Sequence, residues 1–185
     1  MSYLSYTQEF TGPDQVILRT PQRYMPLVEF LEQTSRQPSE MTMAERELLA
    51  SYVSGINAST FCVGIHNGVA SAYGPCGMDS KAPEVPIKND RLGEKFAPVK
   101  ALVNRLLKSP EAYGQTDVDA VLAAGWSEQT VEDIIGLAAS VTVYNIMSVG
   151  FGFKSAPADY FLGLGEAVKE NGYETLFRSM LDAAE

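Results

Sequence analysis

The stretch Thr42-Met43-Ala44-Glu45-Arg46-Glu47-Leu48-Leu49-Ala50-Ser51-Tyr52-Val53-Ser54-Gly55-Ile56, continued by Asn57-Ala58-Ser59 and then Thr60-Phe61-Cys62-Val63-Gly64-Ile65-His66, decides the fold. Thr42 and Glu45 form a capping box: the threonine oxygen accepts from the third helical amide, and the glutamate reaches back to the first. Leu48, Leu49, Tyr52, Val53 and Ile56 then recur at helical spacing. Asn57-Ala58-Ser59 breaks the pattern. Phe61, Ile65 and Val69 resume it until Gly74-Pro75 ends the second helix. The spacing thus predicts two consecutive helices, joined by three residues, over 42–74.

The same reading extends outward. Residues 1–22 contain Gly12-Pro13 and Pro21 and read as an extended arm. Tyr24–Arg36 reads as a short helix with Pro26 in its first turn. Three prolines and several charges make 75–92 a loop. Glu94–Lys108 is helical, with Pro98 near its start. A second helix pair covers 116–153, its long apolar member capped by Ser127, and C-terminal helices broken near Gly172 cover 157–185. No segment alternates at period two long enough to be a strand. The prediction is a single all-α domain over 1–185. Glu47-Leu48-Leu49-Ala50 and Asp133-Ile134-Ile135-Gly136 hint at a repeat of the helix pair.

Composition narrows the function classes. Hydrophobic residues make up 45% and charged residues 20%, the balance of a globular domain. A formal charge of -9 argues against phosphate-tracking nucleic-acid binding. Two cysteines make no disulfide scaffold and fit a reducing compartment. Met1–Phe10 lacks the basic start and apolar run of a secretory signal, so a cytoplasmic location is expected. Ile134–Phe153 has no charge over 20 positions, about a bilayer's span, but Ser140, Thr142, Asn145 and Ser148 interrupt it. It reads as a helix buried in a core or a subunit interface rather than as a membrane span. No Walker-type glycine loop is present, and Gly150-Phe151-Gly152 follows no strand, so no nucleotide cofactor is called for.

Cys62 and His66 lie one turn apart on one helical face, with Ser59 three residues before the cysteine on that face. The helix start favours thiolate, and a neighbouring imidazole can take the thiol proton. Glu47, on the preceding helix, is within reach of either group if the helices pair. Other readings stand beside this one. A lone cysteine on a helix is commonly a small core residue, and a lone histidine a hydrogen-bonded one. The three side chains would also make three metal ligands, one short of a closed structural zinc site.

Glu45 to Asn57, followed by Cys62-Val63-Gly64-Ile65-His66, resembles the AhpD-like alkylhydroperoxidase and carboxymuconolactone decarboxylase family, closest to its peroxidase-related subgroup. Ala123-Ala124-Gly125-Trp126-Ser127, Glu132-Asp133 and the apolar helix to Asn145 are also similar, so the resemblance covers about residues 20 to 165. Peroxidatic members carry Glu, eleven residues, Cys-x-x-Cys, three residues, His. Glu47, Ser59, Cys62 and His66 occupy those positions here. The resemblance implies a thiol-dependent hydroperoxide reductase on an AhpD-like helical fold with a central antiparallel helix pair, assembled as a homo-oligomer, commonly a trimer or hexamer. In it Cys62 meets the peroxide, and His66 and Glu47 relay protons. Ser59 stands in place of the resolving cysteine and would hydrogen-bond the sulfur or the peroxide.

An external thiol reductant would then have to restore Cys62, with no metal or cofactor. Phe61 replaces the second relay histidine of some members. Cys76 is a poor substitute partner, since fourteen residues along a helix span about 21 Å and bridged α-carbons lie within about 7 Å. The alternatives are a carboxymuconolactone decarboxylase-like enzyme acting on a small lactone acid, or a degenerate non-catalytic oligomer that binds a ligand or a protein.

Overall fold

The computed structural model describes residues 2–74 and 92–183. Within them the chain forms α1 (Pro13–Arg19), α2 (Pro21–Arg36), α3 (Met43–Ile56), α4 (Thr60–Ala72), α5 (Ala97–Lys108), α6 (Gln115–Ala123), α7 (Glu128–Phe151) and α8 (Ala158–Asp182). Short 3₁₀ turns precede α1, α5 and α6, and no strand occurs among the described residues. Cys76 and all of the expected 75–92 loop except Leu92 lie outside them.

The α3–α4 hairpin forms as its local signals require. Thr42 Oγ1 accepts from the Glu45 amide at 3.2 Å, and the Glu45 carboxylate accepts from the Thr42 amide at 2.8 Å. At the other end of α3 the Ser59 amide donates to the Ser54 carbonyl and the Ala58 amide to the Gly55 carbonyl. This is a Schellman closure, and it places Ala58 in the left-handed region at φ 56°. Glycine is the usual occupant there, because a Cβ costs about 1 kcal/mol. The closure folds α4 antiparallel against α3, so that residue 66 returns opposite residue 47.

Around this hairpin the other helices form a shell. α8 packs on α4, α7 on α3, and α2 crosses both α7 and α8. Leu49, Val53, Val69, Leu102, Ile134, Leu137 and Val141 are fully enclosed between them. The contact of α4 with α8 is unusually close. A Cβ built on Gly68 would lie 2.1 Å from the Phe161 carbonyl oxygen, and one on Gly165 2.3 Å from the Gly68 carbonyl oxygen. Only glycines let the two backbones touch in this way.

Polar side chains fix the ends of the shell. Glu40, between α2 and α3, accepts from the amide and hydroxyl of Ser127 and from the Thr130 hydroxyl at the start of α7. These donors hold its carboxyl below the ordinary carboxylate range. Arg46 is buried and donates to the Gln37 carbonyl at 2.6 Å, tying that linker down. Trp126 donates to the Lys95 carbonyl and packs edge-on to Phe96.

Three expectations need correction. The first 22 residues are not an extended arm: α1 forms there, starting on Pro13 and burying Val16 and Ile17. Seven residues give too little periodicity for a sequence reading to find. The next helix starts at Pro21 rather than Tyr24, because proline's fixed φ suits the first helical position. Pro26 therefore sits inside α2, not in its first turn.

α7 is the one described helix long and apolar enough to cross a bilayer, and half of its most apolar window is buried within the fold. Its outer side leaves Ile135, Ile146 and Val149 exposed, Ile146 at 67%.

Candidate active site

The α3–α4 hairpin places Glu47 and His66 face to face in the interior. Both are almost without solvent contact, at 3% and 4% exposure. Glu47 Oε2 lies 2.7 Å from His66 Nδ1. With the carboxylate accepting, Nδ1 carries the hydrogen, and Nε2 is the ring nitrogen left to accept a proton. The carboxylate on Nδ1 fixes the orientation of the imidazole ring.

The carboxylate has a second partner that the sequence did not suggest. The Tyr173 hydroxyl donates to both Glu47 oxygens, at 3.1 and 3.0 Å, and lies 3.5 Å from His66 Nδ1. Tyr173 follows Gly172, whose φ of 79° breaks α8. The second half of α8 thereby gains its own N-terminus. Glu32 of α2 caps it, accepting from the Tyr173 amide at 2.7 Å and the Glu174 amide at 3.3 Å. Burial pushes the Tyr173 hydroxyl well above its ordinary range, and the neighbouring Glu47 charge and hydrogen bond push it further. The tyrosine is therefore a neutral donor to the carboxylate.

Cys62 is a buried free thiol one turn before His66 on the same face of α4. Its sulfur lies 3.3 Å from the hydroxyl of Ser148, on α7. Ser59, expected to serve the sulfur, caps the start of α4 by position only. Its hydroxyl is buried and has no hydrogen-bond partner among the described residues.

Cys62, His66 and Tyr173 border one cavity of about 90 Å³. The rest of its wall is almost wholly apolar, and includes Ile17, Leu31, Phe61, Ile65, Leu164 and Phe177. Phe61, in the position of the replaced histidine, packs against Phe153, Tyr160 and Phe161. Asp14, in the first turn of α1, also reaches the cavity. Burial raises its carboxyl, opposed by the backbone amides of Asp14 and Gln15.

Among the described residues no three His, Cys, Asp or Glu side chains are grouped to hold a metal ion. In place of a ligand set, Glu47 is committed to His66 and Tyr173. Asp133, aligned with Glu47 in the hinted repeat, instead accepts from Ser39 at 2.6 Å and belongs to no second site of this kind.

The missed residues are thus Tyr173 and Ser148. Ser148 lay in view within the uncharged run, but nothing local links it to Cys62. The one signal for Tyr173 was an aromatic residue directly after the helix-breaking Gly172.

Solved structures share this architecture. A peroxidase-related protein from Ralstonia eutropha JMP134, described as an alkylhydroperoxidase AhpD core, superposes with a TM-score of 0.67 at 18% identity, over 82% of this chain and 78% of that one. A peroxidase-related protein from Silicibacter sp. TM1040 superposes with a TM-score of 0.67 at 16% identity, over 81% and 78% of the two chains. No family model matches the chain, and no curated protein matches it. The fold is therefore the all-α AhpD-like fold.

Proposed function

We propose that this AhpD-like chain is a thiol-dependent hydroperoxide reductase with Cys62 as its peroxidatic thiol. The observation that carries the reading is the buried Glu47–His66 pair at 2.7 Å, with Cys62 one turn away on the wall of the same cavity. His66 Nε2 takes the thiol proton, and Glu47 stabilises the imidazolium that results. The thiolate attacks the terminal oxygen of the peroxide. The S–O bond forms as the O–O bond breaks, leaving a sulfenic acid and an alcohol or water. Ser148, in contact with the sulfur, hydrogen-bonds the thiolate.

Ser59 holds no sulfur with which to close a disulfide, so an external thiol returns Cys62 to its reduced form. The cavity's apolar wall suits a small organic peroxide. The exposed Ile135, Ile146 and Val149 of α7 favour a homo-oligomer, a trimer or hexamer, since monomers rarely leave a contiguous apolar stripe in water.

Peroxide consumption with a monothiol reductant, measured on the natural protein and on Cys62→Ser, tests the reading. The natural protein turns over and the variant does not. Mass spectrometry of the oxidised natural protein shows one added oxygen at Cys62 and no internal disulfide involving residue 59. Equal consumption by both proteins would sink the reading.

A further inference from the structure

One group on the cavity wall has no role in the relay described above. Tyr144 borders the cavity together with Cys62 and His66. It lies on α7 one turn before Ser148, whose hydroxyl touches the Cys62 sulfur at 3.3 Å. Residues four apart on a helix share a face, so Tyr144 and Ser148 both turn toward α4. The Tyr144 side chain is buried, and its hydroxyl has no hydrogen-bond partner among the described residues. A buried hydroxyl without a partner is uncommon, because its desolvation is left uncompensated. It is understandable where a bound molecule supplies the missing acceptor. Tyr173, also on the cavity, differs: its hydroxyl is spent on Glu47.

We propose that Tyr144 is a catalytic residue whose hydroxyl donates to the departing oxygen of a peroxide as Cys62 attacks the other oxygen. The inference rests on the peroxidase reading. The thiolate forms a bond to the terminal oxygen and the O–O bond breaks. Sulfur loses two electrons, and the peroxide gains them. The departing oxygen leaves with the bonding pair and takes the Tyr144 proton, becoming water or an alcohol. The proton that His66 removed from the thiol then returns to the phenolate. The sum is thiol plus hydroperoxide giving sulfenic acid plus water or alcohol. Burial, and secondarily the neighbouring Cys62, raise the tyrosine far above its ordinary range. It is therefore protonated at neutral pH and able to donate.

The test compares two small oxidants whose departing groups differ. Hydrogen peroxide releases hydroxide, which needs a proton. Peracetic acid releases a carboxylate, which at neutral pH needs none. The rate of Cys62 oxidation is followed in a single turnover without reductant, by trapping the sulfenic acid and weighing the protein. Tyr144→Phe is expected to slow oxidation by hydrogen peroxide about 100-fold, the usual loss for one transition-state donor, and to leave the peracetic acid rate within about threefold.

Tyr144→Leu should show the same contrast between oxidants. A merely structural tyrosine would slow both oxidants alike or neither, and that result would overturn the proposal. The melting temperature of Tyr144→Phe should stay level or rise, since the change removes an uncompensated hydroxyl. If Cys62 of the natural protein reacts with neither oxidant faster than a free thiol, the peroxidase reading fails and this inference falls with it.

Discussion

The Tyr173 hydroxyl donates to both carboxylate oxygens of Glu47, and joins the last helix to a pair formed entirely within the α3–α4 hairpin. Glu47 is thus held from two sides, by His66 Nδ1 and by Tyr173. Neither oxygen is left to wander toward the sulfur.

Removing that donor loosens the Glu47–His66 pair without touching the thiol. Tyr173→Phe should fold, lose about 1–3 kcal/mol of stability, and slow Cys62 oxidation about tenfold. Glu47→Gln should act more strongly, about 100-fold, because it also removes the charge that stabilises an imidazolium. Denaturant melts and the single-turnover oxidation rate check both. A Tyr173→Phe rate equal to the natural one would show that His66 is held adequately by Glu47 alone.

The buried tyrosines make the fold sensitive to alkali. Tyr144 and Tyr173 both have folded-state values raised above those of the unfolded chain. Below about pH 10 the hydroxyls are neutral in both states, and their contribution does not change. Above it the unfolded chain releases their protons while the folded chain keeps them, so stability falls as pH rises. The slope is about 1.4 kcal/mol per pH unit for each tyrosine. Melting temperatures should drop steeply above about pH 10, and less steeply there in Tyr144→Phe and Tyr173→Phe.

Ala58 offers the opposite experiment. Its φ of 56° at the Schellman closure favours glycine. Ala58→Gly should stabilise the protein by about 1 kcal/mol, raising the melting temperature by about 2–4 °C. Unchanged or lower stability would mean that the gain in the folded state is offset by freedom added to the unfolded chain.

The glycines between α4 and α8 are not equivalent. A Cβ on Gly68 meets the Phe161 backbone, which cannot rotate aside, whereas one on Gly64 meets the Phe161 ring at 2.3 Å. Gly68→Ala should therefore cost about 3 kcal/mol or more and Gly64→Ala less. Thermal unfolding of the two variants would rank them, and the reverse order would locate the rigid contact elsewhere.

How much of this was legible follows from the range of the interactions. The hairpin could be read because Thr42, Glu45 and the polar break at 57–59 act within a few residues of themselves. Glu47 and His66 could be proposed together because a hairpin brings close what its short turn separates. Tyr173 is 126 residues from Glu47, and Ser148 is 86 from Cys62. No periodicity reports such pairings, since an inward-facing tyrosine or serine looks the same whatever it touches. Ser59 shows the converse. Spacing alone put it on the face of Cys62, but folding left its hydroxyl unpartnered and gave the sulfur to α7. α1 was missed because proline and glycine around a short helix look like those of an irregular arm.

The break at Gly172 divides α8 between two duties. Its first half lies backbone to backbone against α4 at Gly68 and Gly165, where there is no latitude for change, and also gives Tyr160, Leu164 and Val168 to the cavity wall. Its second half, capped afresh by Glu32, sends Leu176, Phe177 and Met180 to the cavity wall. Mutations there can reshape the guest space while the thiol-bearing helix keeps its mooring. Changes that reshape the cavity would be expected beyond residue 172 and at wall positions such as Leu164 and Val168, while Gly165, held against the Gly68 carbonyl, would be spared.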